Sequence, residues 1–475
     1  MNKGLRLINK LKFNIVIGVF SLIVSYIVLK RTPTGIGYDF YFVVPGLFGI
    51  IIMFCPYISF NDIGNIGALV LNYTMLIKYA LLPLVACLGN YYSWLGVAPF
   101  KEDINKAVLY TVYEMLFICI ESNILSCYYN KRRKKTFNPV KPLRGEFFHF
   151  IFIVLGILTI ILLPATVADQ RFLFDQSDLA TTIKVDFAFS GIFKTLVTFG
   201  RYSAVILVIN YFYKRNMQKE SFVNIFGAFI PVFVNSLFIS NLSRIVIFVP
   251  VITFSILIFI LFDSPKARKT TISLVTIVGA TFIVYLSFVK FFGEGRGNEG
   301  NSTSLMWWGD TLNMYFSGVK ETAIGIKARS LITEKYGFMR FNLLLNDGIS
   351  NVIGLSNLSN SMLTSTRLYN YVYFGSSIAV CQIVPNICEG IYYFGGVFSV
   401  LWPGLFVYLC YKFNYLCEKN NYLDAKFSYL YASIYCGMIL MLNSSMIIAN
   451  ITNVSILFII ISYFSKKIKI RLKCS

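Results

Sequence analysis

The sequence predicts an all-α, polytopic integral membrane protein with about twelve transmembrane helices and one large extracytoplasmic loop. Three observations carry that expectation. Of 475 residues, 56% are hydrophobic and only 14% are charged, whereas a soluble domain averages near ~25% charged. Apolar runs of spanning length recur along the chain. Lys and Arg collect on alternate connections between those runs, as they do on the cytoplasmic side of membrane proteins.

A spanning helix needs about twenty mostly apolar residues to cross a ~30 Å hydrocarbon core. Runs of that kind fall at 11–29, 40–60, 63–89, 106–129, 147–166, 187–213, 221–239, 245–262, 271–292, 391–411, 427–443 and 445–463. The first follows Lys3, Arg6 and Lys10 and has no small-residue cleavage site after it, so it reads as a retained anchor. With the N-terminus in the cytoplasm, 25 of the 43 basic residues fall on inside segments, clustered at Lys131–Lys135 and in the tail from Lys466. The short outside segments hold seven: Lys30, Arg31, Lys101, Lys106, Arg171, Lys184 and Arg244. Turning the protein over would invert this bias, so both termini are expected in the cytoplasm. The net charge of +21 is then a matter of orientation and implies no nucleic-acid partner.

One connection is long. Residues 293–390 are expected outside, opening with Gly293, Gly295, Gly297 and Gly300 and carrying seven basic against seven acidic residues. A structureless loop of this length would be unusual, so it reads as a folded functional element with short helices at the bilayer surface. The chain therefore divides into helices 1–9 (1–292), the loop (293–390), and helices 10–12 with a basic tail (391–475). Ten cysteines form no C-x-x-C pair. Cys381 and Cys388 are both expected outside and are the one candidate bridge, although lone membrane cysteines are ordinarily small apolar residues.

Several chemistries are excluded. No G-x-x-x-x-G-K-[ST] phosphate loop and no D-x-D pattern is present, and the single histidine, His149, sits at the cytoplasmic edge of the 147–166 run. Neither a metal nor a cofactor is expected. What remains is charge in unusual places. Arg171, Arg244, Arg296, Arg329, Arg340 and Arg367 lie outside or at the outer membrane edge. One such arginine is ordinarily an interfacial anchor. Six together beside a large loop suit a phosphate or diphosphate, which guanidinium binds in bidentate fashion. Within the runs lie Lys78, Glu114, Glu121, Lys194 and Arg201. A charge at the bilayer centre costs roughly 2.5–3.5 kcal/mol, so such residues face partners or a wet cavity. Lys78 is the expected partner of Glu114, either to fix helix packing or to line a polar cavity. Candidate general bases are Asp39, Glu114 and Asp310, with Glu294 and Glu321 as further outer carboxylates. Trp307, Trp308 and Tyr315 suit stacking on sugar rings or an interfacial aromatic belt.

This arrangement resembles the Wzy-type polysaccharide polymerases of bacteria, which join O-antigen or capsule repeat units. The likeness lies in the span number, the late outer loop and the outer arginines. It lies also in Ser243-Arg244 opening a helix, and in Tyr315-Phe-Ser-Gly318 followed by Ala323-Ile-Gly325. The Arg with a Gly eleven residues later that some members carry is absent from this loop. The resemblance implies a glycosyltransferase of the cytoplasmic (inner) membrane, acting on its outer face upon undecaprenyl-pyrophosphate-linked oligosaccharides. Its partners would be that lipid-linked substrate, membrane lipid, a chain-length regulator and a flippase. The alternatives are an O-antigen ligase, disfavoured because no outer histidine exists, and a lipid-linked oligosaccharide flippase, disfavoured by the single long loop and the lack of a repeat.

Overall fold

The computed structural model describes residues 3–132 (except 63 and 94–96), 140–164 (except 144), 170–172, 190–240, 244–262, 269, 273, 304–336, 340–375 (except 353–354, 356–357 and 359–362) and 382–467. The described chain is almost entirely helical, with one short antiparallel strand pair, Gln170–Phe172 with Phe238–Ser240. Among the described residues, five helices are long and apolar enough to cross a membrane: Leu11–Arg31, Ile66–Leu88, Lys101–Arg132, Gly191–Gln218 and Ser444–Ser465. Four shorter apolar helices, Val43–Phe54, Glu146–Leu162, Phe222–Ser236 and Phe248–Leu261, accompany them. At 1.5 Å per residue the 12 residues of Val43–Phe54 cover only ~18 Å of a ~30 Å core.

The expected run at 391–411 departs from the sequence reading. It begins inside a short helix, Asn386–Phe394, which stops at Gly395 (φ +82°) before a new helix starts at Leu401. Glycine adopts this positive φ without the steric cost a Cβ would bring, and an apolar count has no means of seeing that break. The run at 427–443 likewise leaves its helix at Gly437. The expected span 271–292 lies outside the described residues, except for position 273.

The chain folds as two compact units. The first comprises 1–134, 301–415 and 433–449, and the second 135–300, 416–432 and 450–475. In the first unit, helix α1 (Lys3–Arg31) lies on α2 (Val43–Phe54). The backbones meet where Gly18 faces Gly49: a Cβ on either would sit within 2.8 Å of the other's carbonyl oxygen. Small residues permit such close crossings where no water is present to drive helices together. Polar bonds secure the pair, with Asn14 Nδ2 donating to Ile58 O (2.8 Å) and Ser25 Oγ to Phe42 O (2.7 Å).

Helix α3 (Ile66–Leu88) contains a π-helical turn at Ile77–Leu81, and α4 (Lys101–Arg132) runs beside it. Lys78 Nζ meets Glu114 Oε2 at 2.6 Å, both fully buried, with Tyr79 Oη donating to the same oxygen at 3.1 Å. The pair expected from the sequence is therefore formed.

The segment expected as a loop supplies five helices to this unit: α9 (Ser304–Tyr315), α10 (Val319–Tyr336), α11 (Arg340–Ile349), α12 (Ser365–Phe374) and α13 (Asn386–Phe394). Helix α9 crosses the end of α3 at two glycines. A Cβ on Gly89 would reach Leu305 O at 3.0 Å, and one on Gly309 would reach Val85 O at 3.3 Å. Between α9 and α10 the chain turns through Ser317 (φ +50°) and Gly318, where any side chain would strike Asn313. Gly325 on α10 lies against Cys388 and Tyr392 of α13, and Tyr392 Oη donates to Gly325 O at 2.8 Å. The Tyr315–Gly325 stretch thus has a packing reason for its glycines. Helix α12 starts at Thr364, whose Oγ1 accepts from Arg367 N, and stops at left-handed Gly375. Cys388 is a free buried thiol donating to Thr322 O, so it forms no bridge; Cys381 lies outside the described residues.

In the second unit, α5 (Glu146–Leu162) and α6 (Ser190–Gln218) cross at Gly156 and Gly200, followed by α7 (Phe222–Ser236) and α8 (Arg244–Leu261). His149 is buried with Nδ1 3.2 Å from Ser203 Oγ, a packing position. Arg201 lays its guanidinium over Tyr202 at 5.5 Å.

Removing one partner of a buried ion pair leaves an uncompensated charge, at a cost of ~3–5 kcal/mol. Lys78→Met is expected to lower the thermal stability of the detergent-solubilised protein by that order, and Lys78→Met/Glu114→Gln to recover much of it. Equal melting of the single and double variants in a thermal scan would show that the pair does not tie α3 to α4.

Candidate functional site

The first unit gathers five buried carboxylates, Glu114, Asp310, Glu321, Asp347 and Glu389, and two buried lysines, Lys78 and Lys320, among its described residues. Three of the acids, Asp310, Glu321 and Asp347, come from α9, α10 and α11. Asp310 on α9 and Lys320 on α10 close the helical hairpin with an ion pair at 2.6 Å, each side chain 3% exposed. The neighbouring Glu321 points elsewhere. Its Oε2 accepts a short hydrogen bond from Tyr369 of α12, and Oε1 accepts from Tyr373 at 3.4 Å. Asp347 accepts from Tyr393 Oη (2.5 Å) and Ser365 N (2.9 Å). Glu389 accepts from Trp402 Nε1 (3.1 Å) and Ser444 N (3.3 Å). Hydroxyl and indole donors thus stand where lysines are lacking.

Burial pushes these acids up. Glu321 rises to about 7, held back by Lys320 and the tyrosine hydrogen bonds. Asp347 rises to about 6 against its Tyr393 and Ser365 bonds, and Glu389 to about 8 against its bonds from Ser444 and Trp402. A carboxyl group half-protonated near neutrality is matched to accepting and releasing a proton at physiological pH.

Two openings adjoin these helices. A small cavity of about 230 Å³ lies at the junction of α3, α4 and α9, with Tyr38, Asn90, Tyr91, Ser93, Asn313 and Lys320 in its wall. Tyr38 and Tyr91 stack with ring centres 4.3 Å apart. Burial raises the Tyr38 hydroxyl pKa, and so do the negative charges of Glu321 and Asp310, which places the cavity wall beside the carboxylates. Asn90 (φ +53°) and Tyr91 (φ +55°) both adopt the left-handed conformation. Asn does so readily, but a tyrosine there stores strain of order 1–3 kcal/mol, a device found at ligand sites. Tyr91 N is held by Ala86 O (2.8 Å) and its hydroxyl by Thr32 (2.5 Å).

The second opening is a wider groove of about 930 Å³ between α4 and α10, lined by Phe100, Asp103, Lys106, Tyr110, Lys327 and Arg329 among others. Lys327 Nζ sits over the Phe100 ring at 4.8 Å. Three cations against one carboxylate give the groove an anion-binding character.

The residues read from the sequence scatter over this arrangement. Asp310 and Glu114 are both committed to lysines. Asp39 closes a turn by accepting from Gly35 N at 2.8 Å. Of the arginines, Arg329 lines the groove. Arg340 starts α11, its guanidinium 3.1 Å from where a Gly395 Cβ would stand, and Arg367 lies in the first turn of α12. Arg171 is in the strand pair and Arg244 opens α8, both in the second unit; their side chains, and all of Arg296, lie outside the described residues. Sequence reasoning passed over Lys106, Lys327, Asp347, Glu389 and the tyrosine partners. Lys327 and Arg329, two apart on one helix, carry no shared-face pattern, and Tyr369 is 48 residues from Glu321.

The chain matches no protein-family model, no curated protein and no solved structure.

For an acid whose folded-state pKa is raised, stability is complete below the unfolded value and falls as pH climbs to the folded one. Glu321 therefore costs the fold stability progressively from about pH 4.5 to about pH 7. Glu321→Gln mimics the protonated form and is expected to flatten the decline of thermal stability between those limits. An unchanged pH slope for this variant would contradict the burial argument.

Proposed function

We propose that this protein is a membrane glycosyltransferase of the Wzy type that its sequence resembles, joining polyprenyl-diphosphate-linked oligosaccharide units at the outer face of the bacterial cytoplasmic membrane. The single observation that carries this reading is the groove between α4 and α10, in which Lys106, Lys327 and Arg329 stand with Asp103. A diphosphate leaving group needs fixed positive charge, while the attacking hydroxyl needs a proton acceptor, and the groove wall offers both, with Asp103 of α4 beside the three cations.

In the proposed reaction the acceptor hydroxyl oxygen attacks the anomeric carbon of the donor sugar. The bond from that carbon to the diphosphate oxygen breaks, and its electron pair leaves with the diphosphate. The hydroxyl proton goes to a carboxylate; Asp103 is the one carboxylate in the groove wall among the described residues and so the one within reach. The donor arrives already activated, so catalysis rests on orientation and on stabilising the growing phosphate charge. Arg171, Arg244 and Arg296 stay candidates for the lipid diphosphate on sequence grounds. A second reading, a transporter of the same lipid-linked glycans, is favoured by the Lys78–Glu114 pair, whose lysine sits in a π-helical turn of a spanning helix, since π turns gather at functional sites.

In proteoliposomes supplied with undecaprenyl-diphosphate-linked repeat units, Lys327→Ala/Arg329→Ala is expected to reduce polymer formation at least tenfold, equivalent to about 1.4 kcal/mol. Translocation without lengthening by the unaltered protein would favour the transporter. The orientation has its own check: a cysteine replacing exposed Ser330 should react with a membrane-impermeant maleimide in intact cells. Reaction only after lysis would place the α9–α13 helices on the cytoplasmic side and sink the reading.

A further inference from the structure

We propose that the 230 Å³ cavity is a subsite for one neutral sugar ring, separate from the anion groove. The inference deepens the polymerase reading and rests on it for the class of ligand.

Size comes first. At ~30 Å³ per water, the cavity has room for on the order of seven or eight waters. That is the bulk of one sugar ring, and too little for a lipid chain or a whole repeat unit.

Charge comes next. Lys320 is the one charged residue in its wall among the described residues, and Asp310 neutralises it at 2.6 Å. The groove holds an excess of cations; the cavity holds none. An anion has no reason to prefer it, and a polyhydroxylated neutral molecule does.

The wall chemistry agrees. Tyr38 and Tyr91 form a stacked aromatic face, and Asn90, Asn313 and Ser93 bring amide and hydroxyl groups to the same space. Ser93 Oγ is buried with no hydrogen-bond partner among the described residues, which is costly unless a ligand or water supplies one. Asn313 is held by its Nδ2 donating to Gly309 O at 3.0 Å, so its side chain is fixed before any ligand arrives. Tyr91 is held in a strained backbone conformation by Ala86 and Thr32. A wall built in this manner is preorganised, which lowers the entropy lost on binding.

The test uses the full-length protein in detergent, with the methyl glycosides of glucose, galactose and N-acetylglucosamine as probes and saturation-transfer difference NMR as the readout. Ala98 and Ile36 line the cavity, Ala98 exposed and Ile36 36% exposed, so a larger side chain at either can fill the space, with the gel-filtration profile as the check on packing. We expect saturation of at least one glycoside by the unaltered protein and by Ala98→Ser, and loss of most of it in both Ala98→Trp and Ile36→Trp. No transfer to any of the three probes, or transfer undiminished in both tryptophan variants of unchanged gel-filtration profile, overturns the proposal. The readout needs no turnover. Glycoside binding without polymer in proteoliposomes would leave the subsite standing and remove the polymerase, whereas polymer formation without glycoside binding would do the reverse.

Discussion

Buried charge must be matched, and in the first unit that requirement shapes everything near the site. Five carboxylates are buried there with only two buried lysines among the described residues. Glu114 and Asp310 take the lysines. Glu321, Asp347 and Glu389 are left to tyrosine hydroxyls, an indole, backbone amides and partial protonation. A buried acid without a cation is tolerable only when its protonated form is within reach and its oxygens are hydrogen-bonded. The short helices α9 to α13 therefore act less as a loop than as the scaffold that brings those donors in from distant points of the chain.

The same accounting separates two kinds of polar surface. In the cavity the charge is cancelled at source, because Lys320 is already bound to Asp310. In the groove Lys106, Lys327 and Arg329 face Asp103 alone. On the proposed reading, the two environments suit two chemically different parts of one glycolipid, a neutral sugar and an anionic diphosphate. Helix α10 carries a residue for each: Lys320 for the first, Lys327 and Arg329 for the second.

Much of this was legible in the sequence, and the failures have physical causes. Helices α1, α3 and α4 follow from long apolar runs bounded by charged residues. The Lys78–Glu114 pair follows from depth, since two opposite charges at similar height in adjacent spans have few other partners. The described residues after 303 form the helices α9 to α13, so a reading of that stretch as structured is open to the sequence. What composition could not supply was pairing across distance. Glu321 finds Tyr369, Asp347 finds Tyr393, and Glu389 finds Ser444 55 residues on, and no local pattern announces such contacts. Arginines were weighted above lysines for their bidentate geometry, yet two of the three cations in the groove are lysines. The break at Gly395 was missed because a hydropathy window averages over the single residue that ends a helix.

The π-helical turn at Ile77–Leu81 has an evolutionary consequence. Such a turn holds one residue more than an α-helical turn, and it relocates everything beyond it by roughly a quarter of a revolution. Deleting a residue within this turn would restore a regular α-helix and swing Lys78 out of register with Glu114, while leaving the span's length nearly intact. A span lacking that residue would keep its place in the bilayer while its lysine lost its partner, so a single codon decides whether the charge inside this helix is paired.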